Sequence, residues 1–300
     1  LHKGPLSDIP VNPLVRSYER HCRAANHSPA TIAHRGIVLR RFIAFCQEEG
    51  FPEDLRDVRG THVEAWMEAL QFELRPHSVR SYTAALRAFY QWLVDEEEVE
   101  KHPMARIAQP FAEPAEKDLA SQKDLLRVFA MLDKAKRWRD ASLIAIIYGT
   151  GVRASELANV RMEDVDLDAG LMRVLGKGRK YRTVPLSPRV VRYIDRYLRS
   201  RRQPAEYLLT GRQGKLTKTG VYRAVRRCFA EAGVKAVIGA HDLRHTWASS
   251  VVDEVSESDM MAGGGWTDAS MVRHYTSQVR ARKSIEALRK ASPLERLYRQ

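Results

Sequence analysis

Gly149-Thr-Gly-Val-Arg153-Ala-Ser-Glu156-Leu157 is the stretch from which the rest of the chain is read. A helix expected over 138–148 runs into the two glycines, which break it. The first turn of the next helix, over 153–160, then carries Arg153 and Glu156 at i and i+3, on one face. A phosphate-cradling P-loop needs Lys and then Ser or Thr after its glycines; neither is present, so a nucleotide site is disfavoured. Two roles stay open for the pair: an ion pair that only closes the turn, or a guanidinium offered to an anion.

Three further clusters lie downstream. Two β-prone runs, Leu171–Leu175 and Tyr181–Leu186, flank Gly176-Lys177-Gly178-Arg179-Lys180 and predict a hairpin with Lys177 at its tip, Arg179, Lys180 and Arg182 crowding behind it. His241-Asp-Leu-Arg244-His245 places His241 and Arg244 on one helical face. Its two histidines at i and i+4 are spaced as in zinc hydrolases, but a guanidinium within the motif repels a divalent cation, so no metal is expected. Last come Gly263-Gly-Gly-Trp266 and, nine residues on, Tyr275 within Arg273-His-Tyr-Thr276. Each cluster alone has an ordinary explanation: an exposed hairpin tip, a core tyrosine, a paired histidine.

The chain around these clusters reads as mainly helical. In the first part, Ser28-Pro29 caps a helix whose Leu39, Phe42, Ile43 and Cys46 recur at helical spacing until Gly50. A helix from about Ser78 stacks Val79, Tyr82, Leu86, Phe89, Tyr90 and Leu93 on one stripe, read as core, with Arg80 and Arg87 on its other face. Shorter helices near 10–25 and 61–73 complete a four-helix domain over 1–112. Residues 102–116 carry three prolines and no period, and are expected to form an extended connector. The second domain, 117–300, mixes the hairpin with helices at 121–134, 188–202, 217–232, 241–253, 257–263 and 268–275. The helix after Ser187-Pro188 turns Arg189, Arg192, Arg196 and Arg199 outward, and 279–300 forms a C-terminal tail.

Charge divides at the connector. Residues 1–112 hold 14 Lys and Arg against 15 Asp and Glu, whereas 113–300 hold 36 against 22, so the whole +13 excess lies in the second domain. A basic domain points to a polyanion, most often nucleic acid, through counterion release. No run approaches the roughly 20 apolar residues of a membrane helix, and Leu1–Pro13 has no secretory pattern. Three scattered cysteines, Cys22, Cys46 and Cys228, make no disulfide framework and suit a cytoplasmic chain, where they serve as small core hydrophobes.

Taken together, two arginines, a lysine, a histidine and a tyrosine suit metal-free phosphoryl transfer at a DNA phosphodiester. Guanidinium forks stabilise the non-bridging oxygens as charge grows in the transition state. A tyrosine supplies a nucleophile that conserves the bond energy in a covalent ester. Its ordinary pKa of about 10 requires cations or a base nearby, and the departing 5′ oxygen needs a proton donor.

The chain resembles the tyrosine recombinases, the phage-integrase and Xer-type family, over nearly its whole length. The likeness is carried by Ser28-Pro-Ala-Thr31, Ala85-Leu-Arg-Ala-Phe-Tyr-Gln-Trp92, Gly149 to Leu157, Gly176-Lys-Gly, Val184-Pro-Leu186, His241-Asp-Leu-Arg-His-Thr246 and Tyr275. It implies a SAM-like core-binding domain followed by an α+β catalytic domain. It implies that Arg153 and Arg244 clamp the scissile phosphate, Lys177 acts as general acid, His241 assists, Tyr275 attacks and Glu156 braces the arginine turn. Trp266 falls where the family pattern usually has His; its N–H can donate a hydrogen bond but cannot exchange protons in catalysis. The glycines of Met260-Met-Ala-Gly-Gly-Gly265 replace a leucine-rich approach and are expected to loosen the lead-in to the nucleophile.

The resemblance further implies duplex DNA with inverted-repeat half-sites as partner, a homo-tetramer on DNA from a mostly monomeric free protein, no cofactor and possible accessory proteins. DNA contacts are assigned to Arg80, Arg87, Arg179 and Lys180, with the two domains embracing the duplex and the tail docking on a neighbouring protomer. Rival readings are a type IB topoisomerase-like enzyme, a non-catalytic DNA-binding regulator on the same fold, and a metal-dependent hydrolase built on His241 and His245.

Overall fold

Capping chemistry sets the helix starts. Ser28 Oγ accepts the backbone N–H of Thr31 at 3.1 Å and Ser187 Oγ that of Val190 at 3.5 Å, each ahead of a proline at the first helical position. The computed structural model describes residues 12–111, 119–176, 180–211, 214–270, 272, 284–285, 287–289 and 291. The chain divides into two units, Leu1–Ala115 and Glu116–Gln300.

The first unit is built from α1 (Pro13–Ala24), α2 (Pro29–Glu48), α3 (Gly60–Glu73) and α4 (Pro76–Asp95). The α4 stripe is core: Val79, Leu86, Phe89, Tyr90 and Leu93 are buried and Tyr82 is half-buried. Phe89 meets Tyr18 edge-on at 5.3 Å, and Phe42 meets Trp66 at 5.0 Å. Each such side chain contributes about 1.5–3 kcal/mol by leaving water. The cysteines are buried as expected, and desolvation pushes the Cys46 thiol up to about 12 and that of Cys228 up to about 11.

The connector departs from expectation in its first half. Residues 102–107 do not extend; they turn back on the four-helix core, with Met104 fully buried and Ile107 packed beside it. Arg87 fastens them, donating to the carbonyls of Met104 (2.9 Å) and Ile107 (2.6 Å). One buried methionine and one arginine fork outweigh the extended preference of the local prolines. Residues 112–118 lie outside the described ones.

In the second unit α5 (Gln122–Lys134) leads to α6 (Trp138–Thr150), a helix apolar nearly all round and buried from Asp140 to Ile147. It is followed by α7 (Ala154–Leu157) and a 3-10 turn at Met162–Asp164. Next comes an antiparallel sheet of β1 (Val165–Asp166), β2 (Leu171–Leu175) and β3 (Tyr181–Pro185), in that order. The hairpin register pairs Met172 with Val184 and Leu175 with Tyr181. α8 (Pro188–Ser200) packs along α6, where Ser142 Oγ donates to the Tyr193 carbonyl at 2.6 Å. Its four arginines are exposed, as the sequence predicts. A two-strand ribbon, β4 (Thr210–Gly211) and β5 (Gly214–Lys215), precedes α9 (Lys218–Glu231), α10 (Ala240–Val251) and α11 (Glu257–Gly264). The ribbon escapes sequence reading because two-residue strands have no period to detect. α7 is shorter than the 153–160 expected, because Val160 and Arg161 leave the helix to pair with the backbone at Leu208 and Tyr207.

Candidate active site

Arg153 caps α7, and Glu156 closes the turn on it. Glu156 Oε2 accepts the Arg153 backbone N–H at 2.9 Å, while Oε1 accepts its guanidinium at 2.7 Å. The turn-closing ion pair is therefore real, yet it does not consume the arginine. A third of the Arg153 side chain stays exposed, and its Nη2 donates to the carbonyl of Gly265 at 2.9 Å. Glu156, 4% exposed, also takes a bidentate pair from Arg182, at 2.9 and 2.7 Å. Burial pushes the Glu156 carboxyl up, but hydrogen bonds from Arg182 and Arg153 and the charge of Arg182 outweigh it, holding the group below the ordinary carboxylate range.

Arg244 lies on the buried floor beside this pair, 2% exposed. Its guanidinium donates to the carbonyls of Gly151 and Gly264, the latter at 2.6 Å, and sits 4.5 Å from the centroid of the Trp266 ring. Trp266 in turn stacks on Trp247 at 5.9 Å. Trp266 thus supports the arginine through its ring face, a cation–π contact of about 0.5–2 kcal/mol. Gly151 ends α6 at φ +66°, and a Cβ there would fall inside the Trp247 ring. Any other residue at 151 would displace both the tryptophan and the carbonyl that holds Arg244.

The glycines 263–265 overturn the expected looseness. Three successive carbonyls at the C-terminus of α11 each accept one guanidinium: Gly263 from Arg182 (3.0 Å), Gly264 from Arg244 and Gly265 from Arg153. The last carbonyls of a helix have no intrahelical partner and carry its negative dipole end, so they suit cations. Close packing, not slack, explains the small residues at 264 and 265. A Cβ on Gly264 would overlap Trp266, and one on Gly265 (φ +64°) would lie 2.6 Å from Arg182. Three guanidiniums against one carboxylate leave two net positive charges among these groups.

His241 is exposed on the first turn of α10, and its Nε2 lies 2.9 Å from Nε2 of the buried His245. One ring nitrogen donates and the other accepts, so His245 orients His241. Among the described residues no group of three or more His, Cys, Asp or Glu side chains is placed to hold a metal ion. Lys177, Arg179 and Tyr275 lie outside the described residues, as does most of the 279–300 tail. Arg80 and Lys180 are exposed. Arg87, also assigned to DNA contact, is half-buried, and its guanidinium donates to the carbonyls of the 104–107 turn. Arg153, Glu156, Arg244 and Trp266 come together in one cluster.

Sequence reasoning missed the use of Arg182, grouping it with Arg179 and Lys180 behind the hairpin tip. Strand parity carries the signal. Arg182 shares its side of β3 with the buried Val184, and an inward arginine needs an anionic partner. In the sequence His245 reads as a candidate metal ligand and Gly151 as a helix breaker; their contacts to His241 and Arg244 appear only in the fold.

Residues 120–282 match the family model described as the phage integrase family, and residues 23–97 match the phage integrase N-terminal SAM-like domain. The chain is 31% identical over 254 residues to the tyrosine recombinase XerC of Pelobacter propionicus, covering 81% of this chain and 83% of that protein. It is 28% identical over 258 residues to the XerD of Shewanella oneidensis, covering 81% and 84%. Among solved structures it resembles XerH recombinase bound to a palindromic difH substrate, with a TM-score of 0.71 at 22% identity over 91% of this chain and 84% of that one. It also resembles a lambda integrase tetramer bound to a Holliday junction, with a TM-score of 0.70 at 17% identity over 90% and 82%. These two structural likenesses speak for the fold.

Proposed function

The chain belongs to the phage integrase family and is a tyrosine-type site-specific DNA recombinase; from that premise we propose that the Arg153–Arg244 cluster is where it cuts and rejoins DNA. The observation that carries the reading is the seating of two guanidiniums on neighbouring carbonyls, Arg244 on Gly264 and Arg153 on Gly265. Donors anchored in this way need no reorganisation when charge develops on a phosphorane-like transition state, where such preorganised electrostatics contribute most. Two net positive charges match the two negative charges of the pentacoordinate phosphorane-like state.

Tyr275 Oη attacks the scissile phosphorus. The bond to the 5′ oxygen breaks as Lys177 protonates it, leaving a 3′-phosphotyrosine and a free 5′ hydroxyl. Rejoining reverses the step with the 5′ hydroxyl of a partner strand, so no external energy is required. His241, oriented by His245, handles the tyrosine proton, since Trp266 cannot. Arg179, Lys180 and Arg80 contact phosphates. The partner is duplex DNA with inverted half-sites. Four protomers assemble on DNA. In the C-terminal tail the helical residues Ile285 and Leu288 are 62% and 72% exposed and suit docking on a neighbour.

The test is a suicide substrate carrying a nick beside the cleavage point. Tyr275→Phe binds a half-site normally and forms no covalent adduct, and Arg153→Ala lowers the cleavage rate by about a hundredfold or more. An adduct mapped to another residue, or supercoil relaxation without strand exchange, refutes the reading.

A further inference from the structure

We propose that Arg182 is a positioning residue for cleavage: it shares the Glu156 carboxylate so that Arg153 keeps its positive charge for the phosphate. The inference rests on the reading of Arg153 as a phosphate clamp and adds a residue that this reading does not use.

Glu156 is buried and ionised, and it contacts both guanidiniums. Alone with Arg153, its full negative charge would lie 2.7 Å from the clamp and cancel the field the phosphate should meet. The paired oxygen would also draw the fork away from the Gly265 carbonyl. Arg182 changes both terms. Its two nitrogens bind both carboxylate oxygens, so the three groups together carry one net positive charge. Its Nε on the Gly263 carbonyl ties the carboxylate to the same helix end that holds Arg153 and Arg244. The Arg182 side chain is 14% exposed, less than half of the 35% of Arg153, so it is the partner that faces the interior.

A second buried carboxylate, Asp140, is arranged differently. Asp140 takes Arg137, Arg139 and Arg227 at the opposite end of α6, beside a cavity of about 550 Å³. None of its partners reaches the carbonyls of Gly263, Gly264 or Gly265; Glu156 differs in that one of its two arginines is the clamp itself. Arg182 therefore acts on the reaction through Glu156, and its removal matters only while the carboxylate is there.

That dependence sets the experiment. Arg182→Met, Glu156→Gln, the double variant and Arg153→Ala are compared for single-turnover cleavage of the nicked substrate at saturating protein, half-site binding and thermal unfolding. Arg182→Met is expected to cleave roughly ten- to a hundredfold more slowly while binding a half-site within about twofold of wild type. Arg182→Lys, which keeps the charge, recovers part of the rate. In the Glu156→Gln background Arg182→Met changes cleavage less than about twofold, the signature of action through the carboxylate. If Arg182→Met does not fold, this last pair alone decides, because the double variant removes both members of the buried ion pair together. Equal factors lost in both backgrounds, or a wild-type rate for folded Arg182→Met, overturn the proposal. Normal cleavage by Arg153→Ala overturns the clamp reading with it, whereas a slow Arg153→Ala beside a normal Arg182→Met overturns this inference alone.

Discussion

Two adjacent glycines, Gly263 and Gly264, should answer differently to the same added methyl group. At Gly263 a Cβ meets nothing within 4 Å, and the residue lies inside α11. Gly263→Ala removes unfolded-state freedom at no steric cost and should stabilise by about 0.4–1 kcal/mol. At Gly264 the Cβ overlaps the Trp266 ring, which is pinned between Trp247 and the Arg244 guanidinium. Overpacking of this kind costs about 1–3 kcal/mol, and tilting the indole forfeits up to about 2 kcal/mol of cation–π contact. For a unit of this size each kcal/mol moves the midpoint by about 2–4 °C. Gly264→Ala should thus unfold several degrees below wild type and Gly263→Ala a degree or more above it. Cleavage separates the two further. Gly264→Ala shifts the carbonyl and ring that seat Arg244, and loss of one anchored donor costs about 100- to 1000-fold, whereas Gly263→Ala cleaves at the wild-type rate. Thermal unfolding and the nicked-substrate assay read both quantities. Equal behaviour of the two alanine variants in either assay refutes the tight seating.

Lys177→Ala should recover its cleavage rate on a substrate whose bridging 5′ oxygen is sulfur, since a thiolate leaves without a proton; a mutant equally slow on that substrate shows a phosphate clamp instead. Deleting the tail after residue 279 should preserve half-site binding in a gel shift and weaken cooperative assembly and recombination; normal recombination by the truncated protein refutes docking on a neighbour. Burial raises the Asp140 carboxyl, but Arg137 and Arg139 outweigh it and hold it below the ordinary range. A depressed group contributes stability that is complete above its unfolded pKa and lost as pH falls through the folded value. Asp140→Asn should therefore cost about 3 kcal/mol at pH 7, with the gap to wild type in denaturant midpoints closing below about pH 4; a gap constant with pH counts against this.

Local rules, read along the chain, determined the helices. Ser-Pro caps, glycine stops and the apolar stripe of α4 act within a few residues, so α2, α4, α8 and the β2–β3 hairpin were legible before any tertiary contact was known. The residue types of the site were legible too, because each chemical role tolerates few side chains, and Arg153, Glu156, Arg244 and Trp266 meet in space as their motifs suggested. What only the tertiary structure decided is where each charge is spent. Arg87 and Arg182 look alike in sequence to cations that face solvent, yet one holds the 104–107 turn and the other a carboxylate 26 residues away. The glycines 263–265 read as slack, yet they are the surface on which three arginines from distant segments converge. A guanidinium's partner is set by desolvation and by the position of an acceptor brought near through folding, and neither quantity is a property of neighbouring residues in the chain.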